Sequence, residues 1–240
     1  MRSSGGSKIV SWNSMASYMQ GTLQHFLKDY VVRAYGKGEI IVFQGEAPRT
    51  SYVVKSGVVK VYNLSHTGDE KPVRFHSEND IFPTPWVFYK APSSLYYYEA
   101  LTDDVMLYHV PRDDYLKFIK GHSEEAFIQL ERMVIDVLGS MMRLNALQHS
   151  RASDKLIYTL HYLVLSQGRQ ISAEEAEITL DLTHQDFANL TGLTRETAAT
   201  ELNKLKTRGV ISYGKHQPYR VKIRELNKAL NDPTVADVKL

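Results

Sequence analysis

No cysteine occurs among the 240 residues. That excludes a disulfide framework, a thiolate nucleophile and any zinc or iron–sulfur centre held by thiolates. The chain also lacks an apolar run approaching the ~18 residues that a membrane helix needs, so nothing in it reads as bilayer-spanning. Neither sign of charge dominates, since 29 Lys and Arg stand against 27 Asp and Glu for a formal net of +2. Such a sum says little about partners, because the distribution of charge decides. The first residues, MRSSGGSKIV, hold no apolar segment. They read as a flexible terminus and not as a secretory signal, and a cytoplasmic location is expected.

What is present suits a globular chain of two domains, with 43% hydrophobic and 23% charged residues. Met15, Met19, Leu23 and Phe26/Leu27 recur at helical spacing within Ser14 to Asp29, which predicts a short amphipathic helix. From Val31 to Val110 the texture changes to short β runs, EIIVF, SYVV, VVKVY, VRF and VMLYHV, separated by glycine turns. Strands at that spacing predict a sandwich or barrel. Helical pattern resumes after Pro111 in RDDYLKFIK. A long helix is then expected over about 123–149, where Phe127, Leu130, Val134, Val137, Met141 and Leu144 fall at three- and four-residue steps. Such a stripe suits a dimer seam, and equally one face of a core helix.

The last third reads as helix, turn, helix and hairpin. DKLIYTLHYLVLSQ ends at Gly168, and a strand EITLDL follows. Thr183 and Asp186 have capping-box spacing ahead of a helix that stops at Gly192. Thr194 is a good N-cap for RETAATELNKLKTR, which Gly209 ends, and VISY with YRVKI then make a hairpin. That order is a winged helix-turn-helix. Between Thr183 and Lys228, nine basic residues stand against four acidic ones, a net of +5. The excess marks this end as the one that meets a polyanion.

A helix reading the major groove presents polar side chains near its N-terminus. Arg195, Glu196, Ala199, Thr200 and Asn203 are the candidate base contacts on the exposed face. Arg195 suits a guanine, Glu196 a cytosine amine, and the small Ala199 and Thr200 a close approach or a thymine methyl. Thr183, Gln185, Thr194, Lys206, Arg208 and Lys215 are the candidate phosphate contacts.

LTHQDFANLTGLTRETAATELNKLKTRGVISY is similar to the helix-turn-helix signature of the cyclic-AMP receptor protein/fumarate-nitrate regulator (CRP/FNR) superfamily, including the Thr-Arg-Glu-Thr that begins its recognition helix. GEIIVFQGEAPRTSYVVKSGVVKVY resembles the first half of that family's β-roll. The resemblance implies an α+β fold of three parts. Residues 1–122 would be a double-stranded β-helix, a cyclic-nucleotide-binding-like jelly roll; 123–149 a dimerisation helix; and 150–240 the winged helix-turn-helix. It also implies a homodimeric transcription regulator, not an enzyme, that binds a palindromic operator in double-stranded DNA and works with RNA polymerase. One departure concerns DNA: Thr200 stands where the family pattern has a second Arg, which alters the expected half-site.

A second departure lies in DIFPTPWVFYKAPSSLYYYEA, where cyclic-nucleotide-binding relatives carry a Gly-Glu turn and an Arg for the cyclic phosphate. Here Pro83 replaces the glycine, and no Arg occurs between Arg74 and Arg112. A buried phosphate without a cation is costly, so standard cyclic-AMP binding is not expected. Phe82, Trp86, Phe88, Tyr89, Tyr96 and Tyr98 either line a candidate effector pocket for an apolar or aromatic molecule or fill that pocket themselves. No cofactor or metal is expected, although haem ligation through a His such as His76 or His109 stays open. Two readings from other classes compete: a cupin-like metal enzyme, which would need His and carboxylates clustered on inward strand positions, and a protein-interaction module that uses the winged helix.

Overall fold

The computed structural model describes residues 22–214, 217–230 and 232. Of the expected N-terminal helix, residues 22–27 are helical (α1), and the part before residue 22, with Met15 and Met19, lies outside the described residues. Two compact units divide the chain, with the boundary between Val134 and Ile135.

The first unit is a β-roll of two four-stranded antiparallel sheets. Its strands are β1 (Val32–Tyr35), β2 (Ile40–Val42), β3 (Ser51–Ser56), β4 (Val59–Leu64), β5 (Glu70–His76), β6 (Ile81–Phe82), β7 (Tyr97–Ala100) and β8 (Val105–Val110). One sheet has the order β1-β8-β3-β6 and the other β2-β7-β4-β5. Alternation along the strands divides the apolar residues between two cores. Val54, Val59, Val61, Phe82, Tyr98 and Leu107 pack inside the roll. Val53, Ile81, Tyr108 and Val110 point the other way and pack with Leu23 and Leu27 of α1, with Trp86 and Val87 of the one-turn helix α2 (Thr84–Val87), and with Tyr115 and Phe118 of α3 (Arg112–Gly121).

Helix α4 (Ser123–Gln148) follows, and Val134 lies within it. The second unit continues with α5 (Ala152–Gln167), β9 (Gly168–Gln170), β10 (Glu175–Ile178), α6 (His184–Thr191), α7 (Arg195–Thr207), β11 (Ile211–Gly214), β12 (Gln217–Lys222) and α8 (Ile223–Leu230). Strands β11-β12-β10-β9 form one antiparallel sheet. Leu156, Leu160 and Leu163 of α5, Phe187 and Leu190 of α6, and Ala198, Leu202 and Leu205 of α7 are among the buried apolar residues of this unit. Three details depart from the sequence expectation. The strand predicted as EITLDL ends at Ile178, and Gly168 closes α5 in an extended conformation (φ −90°) instead of a left-handed one. The YRVKI strand ends at Lys222 because Ile223 already opens α8, whose Leu226 and Leu230 are buried.

Candidate nucleic-acid interface

The turn between α6 and α7 is built by local chemistry. Thr183 accepts from the Asp186 backbone N–H at 3.2 Å while the Asp186 carboxylate accepts from the Thr183 N–H at 2.7 Å, so both orphan donors are satisfied. Gly192 ends α6 at φ +67°, a left-handed conformation that favours glycine. Thr194 caps α7 by accepting from the Thr197 N–H at 3.2 Å. On α7 the inward face is Ala198, Leu202 and Leu205, and Arg195, Glu196, Thr200 and Asn203 are exposed with Ala199 half-buried. Thr183, Gln185, Thr194, Lys206 and Arg208 are also exposed. Lys215 lies outside the described residues.

A cleft of about 470 Å³ brings Thr183, Gln185, Arg195 and Lys206 together with His184, Tyr213 and Gln217. Arg195, Lys206 and the hydrogen-bonding side chains at the N-terminus of α6 suit an anion there, against the single carboxylate of Asp181 in the same lining. Sequence reasoning missed His184 and Tyr213. Tyr213 stacks on Tyr219 (centroids 4.6 Å apart), meets His184 edge-on at 5.7 Å, and lies under the Lys206 ammonium at 4.5 Å. An aromatic residue in the first strand of a predicted wing was the available signal.

Within the first unit the candidate effector residues do not converge. Phe82 and Tyr98 stack inside the roll at 4.9 Å, Tyr52 stacks on Phe82 at 5.2 Å, and the His76 ring lies 5.2 Å from Phe82 and 5.9 Å from Tyr98. Tyr96 packs against this same cluster. Trp86 and Phe88 belong to the other core, beside α1 and α3. Tyr89 is 59% exposed and covers the Arg112 guanidinium, whose carbon is 3.8 Å from the ring centroid. The six therefore divide between two cores, since α2 turns the chain from one to the other, and Tyr89 joins the Trp86 side through Arg112, whose guanidinium carbon also lies 4.3 Å from the Trp86 ring centroid.

Beside the ring stack sits a charged hub. The Asp80 carboxylate accepts from the Ser77 N–H at 2.9 Å and from Arg132 Nη1 at 3.1 Å, and lies 3.6 Å from Arg74 Nη2. Burial alone would raise the Asp80 pKa, but His76, Arg74 and Arg132 outweigh it and hold the carboxyl well below the usual range. His76 is 3% exposed, and burial, with Arg74 adding to it, lowers its pKa to about 4. Its Nδ1 is 3.5 Å from Asp80 Oδ2, and the carboxylate only partly offsets that shift. Among the described residues no group of three or more His, Asp and Glu is arranged to hold a metal ion. Nor is any described helix long and apolar enough to cross a membrane.

A β-roll of this kind with a winged helix-turn-helix defines the class of two-domain transcription regulators. Residues 32–122 match the cyclic nucleotide-binding domain family and residues 154–228 the Crp-like helix-turn-helix domain family. The global nitrogen regulator of Synechocystis sp. is 25% identical over 186 residues, 77% of this chain and 82% of that protein. The HTH-type transcriptional regulator ArcR of Staphylococcus epidermidis is 28% identical over 206 residues, 84% of this chain and 88% of that one. Among solved structures, a CRP/FNR family transcriptional regulator from Thermus thermophilus superposes with a TM-score of 0.63 at 19% identity, covering 84% of this chain and 99% of that one. The chain belongs to the CRP/FNR superfamily of transcription regulators.

Proposed function

We propose that this regulator binds a two-fold symmetric DNA site as a homodimer, with one α7 helix per half-site, and that it needs no cyclic nucleotide. The observation that carries the DNA part is the cleft where Thr183, Gln185, Arg195 and Lys206 meet beside the exposed face of α7. In this reading Arg195, Glu196, Ala199, Thr200 and Asn203 face base edges, and Thr183, Gln185, Thr194, Lys206, Arg208 and Lys215 face phosphates. Dimerisation is supported by α4, where Phe127, Leu130, Val134, Val137, Met141 and Leu144 are 51% to 61% exposed along one stripe. A stripe facing its own core would be buried, so the core-helix alternative is dropped. Six exposed large apolar residues at heptad spacing favour a second copy of the same helix.

Independence from an effector is supported by the stack of Tyr52, Phe82, Tyr98 and His76, which occupies the roll interior with the protein's own rings. Control then rests on abundance or on a partner such as RNA polymerase, in the cytoplasm. Selection of bound duplexes from a random pool, with and without a small-molecule cell extract, tests both parts. An inverted repeat unchanged by extract is expected. Failure to enrich any repeat overturns the DNA reading, and a profile that changes with extract overturns effector independence.

A further inference from the structure

Asn203 is the last of the candidate base contacts along α7, and it is not free to turn. The Tyr213 hydroxyl, on β11 of the wing, donates to Asn203 Oδ1 at 2.8 Å. Asn203 Nδ2 makes no hydrogen bond among the described residues. A primary amide has a carbonyl end that accepts and an NH₂ end that donates, and turning it over exchanges the two. We propose that Tyr213 is a specificity-positioning residue: it holds the Asn203 carbonyl towards the wing, so that the NH₂ end is the one presented to DNA. This rests on the reading of α7 as the helix in the major groove.

Tyr213 is itself well held. Its ring is stacked between contacts to Tyr219 and His184, and Lys206 donates to the Tyr213 backbone carbonyl at 2.8 Å. Tyr219 is in turn buried against Phe187 of α6 at 4.9 Å. The hydroxyl is therefore fixed by the wing and α6 and not by Asn203. The phenol is protonated at neutral pH, and so able to donate, and burial raises its pKa further.

The consequence is chemical. An NH₂ group meets acceptors in the major groove, such as guanine N7 and O6, adenine N7 or thymine O4, whereas cytosine offers only its N4 donor there. An amide released from Tyr213 can present either end, so its preference among base pairs falls. Loss of one orienting hydrogen bond corresponds to about fivefold in discrimination.

The test is duplex selection from a random pool with full-length wild type, Asn203→Ala, Tyr213→Phe and the double variant. Tyr213→Phe keeps the ring and its stacking and removes only the hydroxyl, so an unchanged melting temperature serves as the folding control. The inference expects one base-pair preference in each half-site that is weakened about fivefold by Tyr213→Phe, weakened by Asn203→Ala, and no further changed in the double variant. It also expects unchanged affinity for unrelated duplex. A Tyr213→Phe profile identical to wild type overturns the positioning role, and an Asn203→Ala profile identical to wild type overturns the reading role. If wild type enriches no sequence at all, the DNA reading beneath the inference has failed instead, and the two failures are told apart.

Discussion

Arg132 of α4 meets the Asp80 carboxylate at 3.1 Å and also points at the Glu78 carbonyl at 3.5 Å. The turn before β6 is thereby pinned to the first half of the long helix, with Arg74 sharing the same carboxylate. Removing one partner from such a cluster leaves charge without compensation. Asp80 is 19% exposed, so the penalty is moderated by water: Asp80→Asn is expected to destabilise the protein by about 2–3 kcal/mol. Chemical denaturation of the two proteins at neutral pH measures it, and a change within error removes the hub from the account of stability.

Acid sensitivity follows from buried histidines. His76 in the roll and His161 in α5 are each lowered by burial to about 4. Unfolded, each titrates near 6.5, so the unfolded chain binds more protons below that pH and stability falls as pH drops from about 6.5 towards 4. Asp80 stays ionised throughout that window and adds its own loss only at lower pH. His76→Phe, which keeps a ring beside Phe82 and Tyr98, is expected to flatten the dependence of melting temperature on pH. A variant with the wild-type slope would contradict the assignment.

Much of the second unit was legible because its signals are local. Thr183 with Asp186, Gly192 and Thr194 each act within four residues. The aromatic segment was not legible in the same way. Phe82 and Trp86 are four residues apart yet join different cores, and only the chain reversal at α2 decides that. The Asp80 hub gave no signal either, since its partners Arg74 and Arg132 come from β5 and α4 and are joined only by the fold.

Gly57 tests the turn between β3 and β4. It sits at φ +77°, and a Cβ there would lie 2.8 Å from Val105 Cα and from Thr102 Oγ1, the atom that accepts from the Val58 N–H. Gly68 has a similar φ of +84° with open space around it. Both Gly→Ala changes incur the left-handed penalty of roughly 1 kcal/mol, but only Gly57→Ala also forces backbone apart. Thermal melts of the two variants are expected to show the larger loss at Gly57, and equal losses would contradict the steric argument.

Base and phosphate contacts separate by their salt dependence. Arg195→Ala is expected to cost roughly 1–3 kcal/mol on the selected duplex and to relax preference at one base pair. Arg208→Ala should weaken all duplexes alike and reduce the slope of log affinity against log salt by about 1. Titrations at several salt concentrations decide this, and an Arg195→Ala variant with unchanged sequence preference would remove that residue from the reading helix.

The α4 stripe and the α7 face make one joint claim, that two chains act on one site. Sedimentation of the protein with a duplex carrying the selected inverted repeat tests it most directly, using wild type and Val137→Glu, whose charge falls on the exposed stripe. The account predicts two wild-type chains per duplex, and for Val137→Glu a monomer that binds the full site no more tightly than a half-site. One wild-type chain per duplex, or full-site binding by Val137→Glu indistinguishable from wild type, would contradict it.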